Sequence, residues 1–287
     1  MKSGNIVDKP LNGRVVAITG AGVGLGRAYV QHLSALGAQV VANDLEEAEY
    51  EGDVFAHTAD ISTEEGATDL IDTAIKQFGR LDALVNNAGI LRSELMIQLS
   101  TEHWDDVQRV HVRGTFLTSR SAGRYWRERS KAGEPIEAAL VNTTSAAGLY
   151  GFVGEAAYSA AKAGIAAFTL VAAAELDRYG VTANALAPAA RTRMTESWAG
   201  ESPNDPLHDP LAPEHVAPII AWLVGDESRN VTGRVFEVGN GSLSIVDGWR
   251  PAATVDLPLS GYSAEPLIRF LLEQAPPPMV PLHPERL

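Results

Sequence analysis

The chain has 287 residues, 45% of them hydrophobic, with a formal net charge of -13 and a pI near 5.0. That length fits one large α/β domain, which buries roughly three quarters of its unfolded surface without disulfides or a structural metal. So acidic a chain is a poor partner for nucleic acid or an anionic membrane, which call for a basic stripe, and the absence of cysteine excludes thiol catalysis, zinc–thiolate sites and iron–sulfur clusters.

Residues 1–12 read as an N-terminal extension without the apolar stretch of a secretory signal. No run of about 20 apolar residues stands out along the chain, so a cytoplasmic protein is expected. From Arg14 to Val238, short β-branched runs alternate with longer helical patterns, which predicts βαβ units around a parallel sheet. Seven strands are expected, at Arg14–Thr19, Ala38–Asn43, Val54–His57, Leu81–Asn86, Ala138–Thr143, Val181–Ala187 and Arg234–Val238. Several are apolar almost throughout, as strands covered by helices on both faces are. Helices are expected over Leu25–Leu36, Glu64–Phe78, Thr101 to about Arg129, Glu155–Tyr179 and Pro213–Val224, with hydroxyl caps at Ser62-Thr63 and Ser100-Thr101. The fold class is a single-domain, doubly wound α/β sheet over residues 13–250. The polar stretch near 193–212 is placed like a substrate lid, and residues 251–287 form a C-terminal extension with an extended tail from Ala275.

Directly after the first strand comes Thr19-Gly20-Ala21-Gly22-Val23-Gly24-Leu25-Gly26-Arg27. Glycines there let the backbone approach a pyrophosphate, and the following helix N-terminus offers free N–H groups and partial positive charge. Leu25 and Arg27 stand where the last glycine of G-x-G-x-x-G would fall, so the turn is of a related but different kind. Asp44, about 20 residues on at the end of the second strand, can accept both ribose hydroxyls of NAD and would repel the extra phosphate of NADP.

Tyr158 and Lys162 are four apart in an alanine-rich helical stretch and so share a face. An ammonium beside a phenol favours the phenolate and is expected to lower its pKa, making the tyrosine an acid/base. Ser145 lies thirteen residues before Tyr158, at the end of the fifth strand, where its hydroxyl can hold a substrate oxygen.

The turn at Gly20, Gly24 and Gly26, followed by Asp44, Ser145 and the Tyr158/Lys162 pair in this order, closely resembles the short-chain dehydrogenase/reductase family over roughly residues 12 to 241. The resemblance implies a Rossmann-like fold, NAD as cofactor, and interconversion of a secondary alcohol and a ketone by Ser145, Tyr158 and Lys162. It places Gly22, Val23 and Leu25 with the glycine turn, Asp60-Ile61 at the adenine, and Asn86-Asn87-Ala88-Gly89 beside the cofactor. Asn184 and Pro188 lead into the loop with Thr192 over the nicotinamide. Two positions depart from the family pattern. His111 stands where many members carry an asparagine that holds a relay water, and Pro188-Ala189 replaces the usual Pro-Gly.

The stretches around His111 and Arg191 are similar to the branch that contains the (3R)-hydroxyacyl-CoA dehydrogenase domain of peroxisomal multifunctional enzyme type 2 and bacterial relatives acting on steroid or acyl-CoA intermediates. A substrate wall is expected from Ala147, Leu149, Tyr150, Val153, Met194 and Trp198, and Arg92, Arg191 and Arg193 are candidates for CoA phosphates. The seven histidines are scattered, so no metal is expected. An NADP-dependent carbonyl reductase and a non-catalytic NAD-binding regulator stay open as alternatives. In the family the two long helices commonly pack against a symmetry mate, which implies a homodimer or homotetramer.

Overall fold

The computed structural model describes residues 9–195, 199, 209–248, 251, 253–255 and 264–274. The expected tail from Ala275 and most of the polar stretch before Pro210 lie outside these residues.

The chain divides into two compact units, Met1–Ile245 and Val246–Leu287. In the first, the elements follow as β1 (Val15–Thr19), α1 (Gly24–Ala35), β2 (Gln39–Asp44), β3 (Val54–Thr58), α2 (Glu64–Phe78), β4 (Ala83–Asn86), α3 (Thr101–Gln108), α4 (Gly114–Lys131) and β5 (Ala138–Thr143). Then come α5 (Ala146–Tyr150), α6 (Ala156–Leu176), β6 (Val181–Ala189), α7 (Ala217–Val224), β7 (Val235–Gly239) and β8 (Ser242–Val246), whose last residue enters the second unit. The strands form one eight-stranded sheet in the order β3-β2-β1-β4-β5-β6-β7-β8, and β1 to β7 pair in parallel. The order reverses between β1 and β4, which opens a crevice at the strands' C-terminal ends.

Alternate residues of β1 enter different cores. Val16 and Ile18 pack with α1 and α7 through Leu33, Ile220 and Leu223, whereas Val15 and Ala17 pack with α2, α4 and α6 through Leu70, Trp126 and Ala173. This is the doubly wound arrangement, and it explains why the strands read as continuous apolar runs. Trp126, fully buried, donates from Nε1 to the Leu81 carbonyl at 2.7 Å and ties α4 to the approach of β4.

Three features differ from expectation. The eighth strand is one: Asn240 and Gly241 both have positive φ (49° and 74°), the geometry of a tight hairpin turn, and they return the chain along the sheet edge. The second is a π-turn over Arg109–Arg113, which interrupts the helix expected from Thr101 to Arg129. The third concerns the 24-residue stretch Ala156–Tyr179, which is long and apolar enough to cross a membrane by length and composition, with a mean hydropathy of 1.4 over its most apolar 18 residues. Its buried face carries Lys162, Ile165 and Thr169 and packs on β5 and β6 as a core helix does.

The second unit contains α8 (Ala264–Gln274), an amphipathic helix that the sequence pattern left unassigned. Arg269 pairs with Glu265 along one of its faces, with an N–O distance of 3.1 Å.

Candidate active site

The crevice is a cavity of about 570 Å³. Gly20, Val23, Gly24, Leu25, Asp44, Asp60, Ile61 and Asn87-Ala88-Gly89 line one part of it, and His111, Tyr158, Lys162, Pro188, Thr192 and Met194 line another. Gly22 and Gly26 are not on the wall; Gly22 is partly exposed and Gly26 is buried. A Cβ on Gly26 would sit 2.0 Å from the Gly20 carbonyl oxygen, so only glycine lets turn and helix approach this closely. Asn87 fastens the turn from β4, donating from Nδ2 to the carbonyls of Thr19 and Gly20 at 3.1 and 3.0 Å. Asn86 points the other way, into a buried chain through Asn142 to Thr169 that ties β4 and β5 to α6. Asn184 staples β6 to the segment before β7, donating to the Val231 carbonyl and accepting from the Arg234 amide.

The turn fits a dinucleotide. Helix α1 starts without a side-chain cap, whereas Thr63 and Ser100 cap α2 and α3, so the chain's own side chains leave its first amides at the cavity wall unsatisfied. A side chain on Gly24, which has φ of +55°, would reach within 3.2 Å of Thr192 and fill the cradle between them. Asp44 is held at the rim by two backbone amides, Gly22 at 2.7 Å and Leu45 at 2.8 Å, and keeps lone pairs for further donors. Arg27 donates to the carbonyls of Gly22 and Glu49 and lies over the Tyr50 ring at 5.5 Å.

Across the cavity stand Tyr158 and Lys162; Ser145, itself not on the wall, caps α5 by accepting from the Ala147 amide at 3.2 Å, and its hydroxyl favours the ionised Tyr158 phenol. Lys162 is 3% exposed; its Nζ donates to the Thr143 carbonyl at 2.7 Å and stands 5.5 Å from the Tyr158 ring centroid. Burial pushes the Tyr158 phenol up to about 12, opposed by the Ser145 hydrogen bond and reinforced by the Glu155 carboxylate. Burial also pulls Lys162 down to about 7. The expected lowering of the tyrosine by the lysine is therefore not what the chain alone shows, because desolvation raises the phenol and weakens the ammonium that would oppose it.

His111 lies on the π-turn, fully buried, with its ring edge-on to Tyr158 at a centroid distance of 5.2 Å. Its Nε2 is 2.7 Å from the Ile90 carbonyl oxygen and 3.0 Å from the Ile90 amide, two groups that one nitrogen of a neutral ring cannot serve together. Nδ1 is buried with no partner among the described residues. Desolvation, with the nearby Lys162 charge, pulls the imidazole down to about 3, so it is neutral at physiological pH. A Cβ on Gly89 would sit 2.4 Å from the His111 ring, so glycine at that position makes room for the imidazole.

Of the expected substrate wall, Met194 reaches this cavity, and Trp198 falls outside the described residues. Ala147, Leu149, Tyr150 and Val153 do not line it: Ala147 is buried, the Tyr150 hydroxyl donates to Glu237 at 2.7 Å, and Val153 is 84% exposed. Arg191 is not on the wall either; its Nε is paired with buried Asp209 at 2.8 Å. Arg92 and Arg193 are on the wall, with Arg92 3.9 Å from Asp106. Sequence reasoning missed Thr143, Thr144, Asp106 and Arg109. Arg109 donates to Ser62 Oγ at 2.6 Å and Asp60 Oδ2 at 3.3 Å, contacts 47 and 49 residues away in sequence that no local pattern announces. Among the described residues, no three potential metal ligands lie together.

The short chain dehydrogenase family model matches residues 14–202. Over 82% of the chain, the sequence is 43% identical to the hydroxyacyl-CoA dehydrogenase ChsB1 of Mycobacterium tuberculosis, covering 80% of that protein. It is 38% identical to mouse peroxisomal multifunctional enzyme type 2 over 80% of the chain, and spans 32% of that longer protein. Among solved structures, a short chain dehydrogenase from Mycobacterium avium superimposes with a TM-score of 0.85 at 43% identity, covering 96% of this chain and 99% of that one. A 3-ketoacyl-(acyl-carrier-protein) reductase from Brucella melitensis complexed with NADH superimposes with a TM-score of 0.72 at 28% identity, covering 80% of this chain and 98% of that one. The chain belongs to the short chain dehydrogenase family, as an oxidoreductase of CH–OH groups that uses a nicotinamide cofactor on a small-molecule substrate.

Proposed function

We propose that the chain is an NAD-dependent dehydrogenase of 3-hydroxyacyl-CoA or hydroxysteroid-type alcohols, with Tyr158 as its acid/base. The observation that carries this reading is the pairing of Tyr158 with buried Lys162, one helical turn apart on the wall of the cavity that also holds Asp44 and the glycine turn, with the Ser145 hydroxyl acting on the phenol. In the oxidative direction the Tyr158 phenolate takes the proton of the substrate hydroxyl as the carbinol carbon gives up hydride. Ser145 donates to the same oxygen and fixes its distance from the phenol. Where Lys162 keeps its proton it favours the phenolate against the burial that raises Tyr158, and the protons it does not give to Thr143 would hold the cofactor ribose. The nicotinamide, when bound, supplies the hydride acceptor.

Asp44 supports NAD over NADP, since a carboxylate at the ribose repels a phosphate and Arg27 is already engaged with Gly22, Glu49 and Tyr50. The acyl-CoA class rests on the names of the relatives and on Arg92 and Arg193 at the cavity wall. The exposed Phe116, Leu170 and Val171 on α4 and α6 support packing of these helices against a second copy of the chain.

Tyr158→Phe is expected to keep NADH affinity within twofold and to lose turnover of secondary alcohols by about 10³-fold or more. Undiminished turnover in that variant would sink the mechanism.

A further inference from the structure

We propose that Tyr150 and Glu237 act as a tether that positions Ser145, so that a residue pair outside the cavity sets how well the reacting oxygen is held. The inference rests on the role given to Ser145 above.

Helix α5 is only five residues long and too short to persist by itself. Ser145 is its N-cap and Tyr150 its last residue, so the serine moves with this single turn. The N-terminal half is fixed by α6. Thr144 Oγ1 donates to the Lys162 carbonyl at 2.7 Å, and a Cβ on Gly148 would lie 2.6 Å from the Lys162 carbonyl carbon, so α5 rests directly on the backbone that carries the lysine. The C-terminal end rests on α6 more loosely, through a long hydrogen bond from the Phe152 amide to Ser159 Oγ at 3.4 Å. It is followed by Gly151 at φ of 73° and by Phe152 and Val153, which are 49% and 84% exposed. There the Tyr150 hydroxyl reaches across to the carboxylate of Glu237 at 2.7 Å. Glu237 lies on β7, opposite Ala187 of β6 in the sheet register, and so belongs to the rigid frame. A hydrogen bond to a carboxylate is among the stronger kinds, and the bond also holds the Tyr150 phenol above its ordinary pKa, as a standing donor. Between the sheet and α6, the short helix is thus held at both ends.

The test measures kcat, KM and NADH affinity of the full-length protein with acetoacetyl-CoA and NADH. Ser145→Ala is expected to lower kcat by about 10²-fold. Tyr150→Phe and Glu237→Ala are each expected to lower kcat by about tenfold with KM and NADH affinity within twofold, and their combination by no more than either alone. Glu237→Gln, which can still accept from Tyr150, is expected to retain wild-type kcat. In the Ser145→Ala background, neither tether substitution lowers kcat further. Additive losses, a rise in KM without loss of kcat, a further loss in the Ser145→Ala background, or full activity in both tether variants would overturn the tether alone. Full activity of Ser145→Ala, or no turnover by the wild type, would overturn the underlying assignment and the tether with it.

Discussion

Lys162 donates from Nζ to the main-chain carbonyl of Thr143 at 2.7 Å while almost wholly removed from water. Burial holds it at about 7 in the folded chain, against 10.5 in the open. Between those values the unfolded chain binds more protons than the folded one, so this group makes stability rise with pH from about 7 towards 10.5. The melting temperature of the wild type is expected to climb over that interval relative to Lys162→Met, in which the titrating group is gone. Parallel curves for the two proteins would contradict it.

His111 follows the same sign lower on the scale. Its folded value of about 3 lies below the ordinary 6.5, so stability falls as pH drops from 6.5 towards 3 and the unfolded imidazole takes up a proton. An asparagine has one acceptor and one donor to offer the Ile90 amide and carbonyl together, and no such titration. His111→Asn is expected to be more stable than wild type at pH 5 by about 1 kcal/mol, while His111→Phe leaves both Ile90 groups unserved and loses about 1–3 kcal/mol. Urea unfolding at pH 5 and pH 8 distinguishes these outcomes.

The cofactor preference turns on Asp44. Asp44→Ala removes the charge that would oppose a 2′-phosphate and also releases the Gly22 amide. The ratio of NADPH to NADH dissociation constants is expected to fall at least tenfold, about 1.4 kcal/mol. Fluorescence titration of both nucleotides measures it; an unchanged ratio would remove Asp44 from the determinants of specificity.

For the substrate class, Arg92 and Arg193 can be replaced together by alanine. With acetoacetyl-CoA the KM is expected to rise about tenfold and its dependence on salt to flatten, as when phosphates lose their cations. A small uncharged ketone serves as control, and an equal rise there would show that the arginines shape the cavity instead of meeting phosphates.

The parallel sheet was legible because strands covered on both faces leave continuous apolar runs, as in Val15–Thr19 and Ala138–Thr143. The same logic hid β8, whose residues are mostly exposed; only Asn240-Gly241 marked its hairpin, a signal lying between an expected strand and a segment assigned to none. Asp44, Tyr158 and Lys162 were legible because strand-end position and i, i+4 spacing are local properties. The seat of His111 on Ile90, 21 residues away, and the pairing of Tyr150 with Glu237, 87 residues away, are products of tertiary packing. Their absence from the sequence pattern misplaced Tyr150 on the cavity wall. The phenol pKa was missed for a related reason: spacing reveals the neighbouring charge but not the loss of water around it.

The uncapped start of α1 makes part of that helix's stability external to the chain. A ligand that binds only the folded form adds about 2.7 kcal/mol at a concentration of 100 times its dissociation constant. The survival of the folded protein against heat and proteases is thereby coupled to the supply of dinucleotide around it, and the first turn of a helix becomes a gauge of the cell's redox carrier.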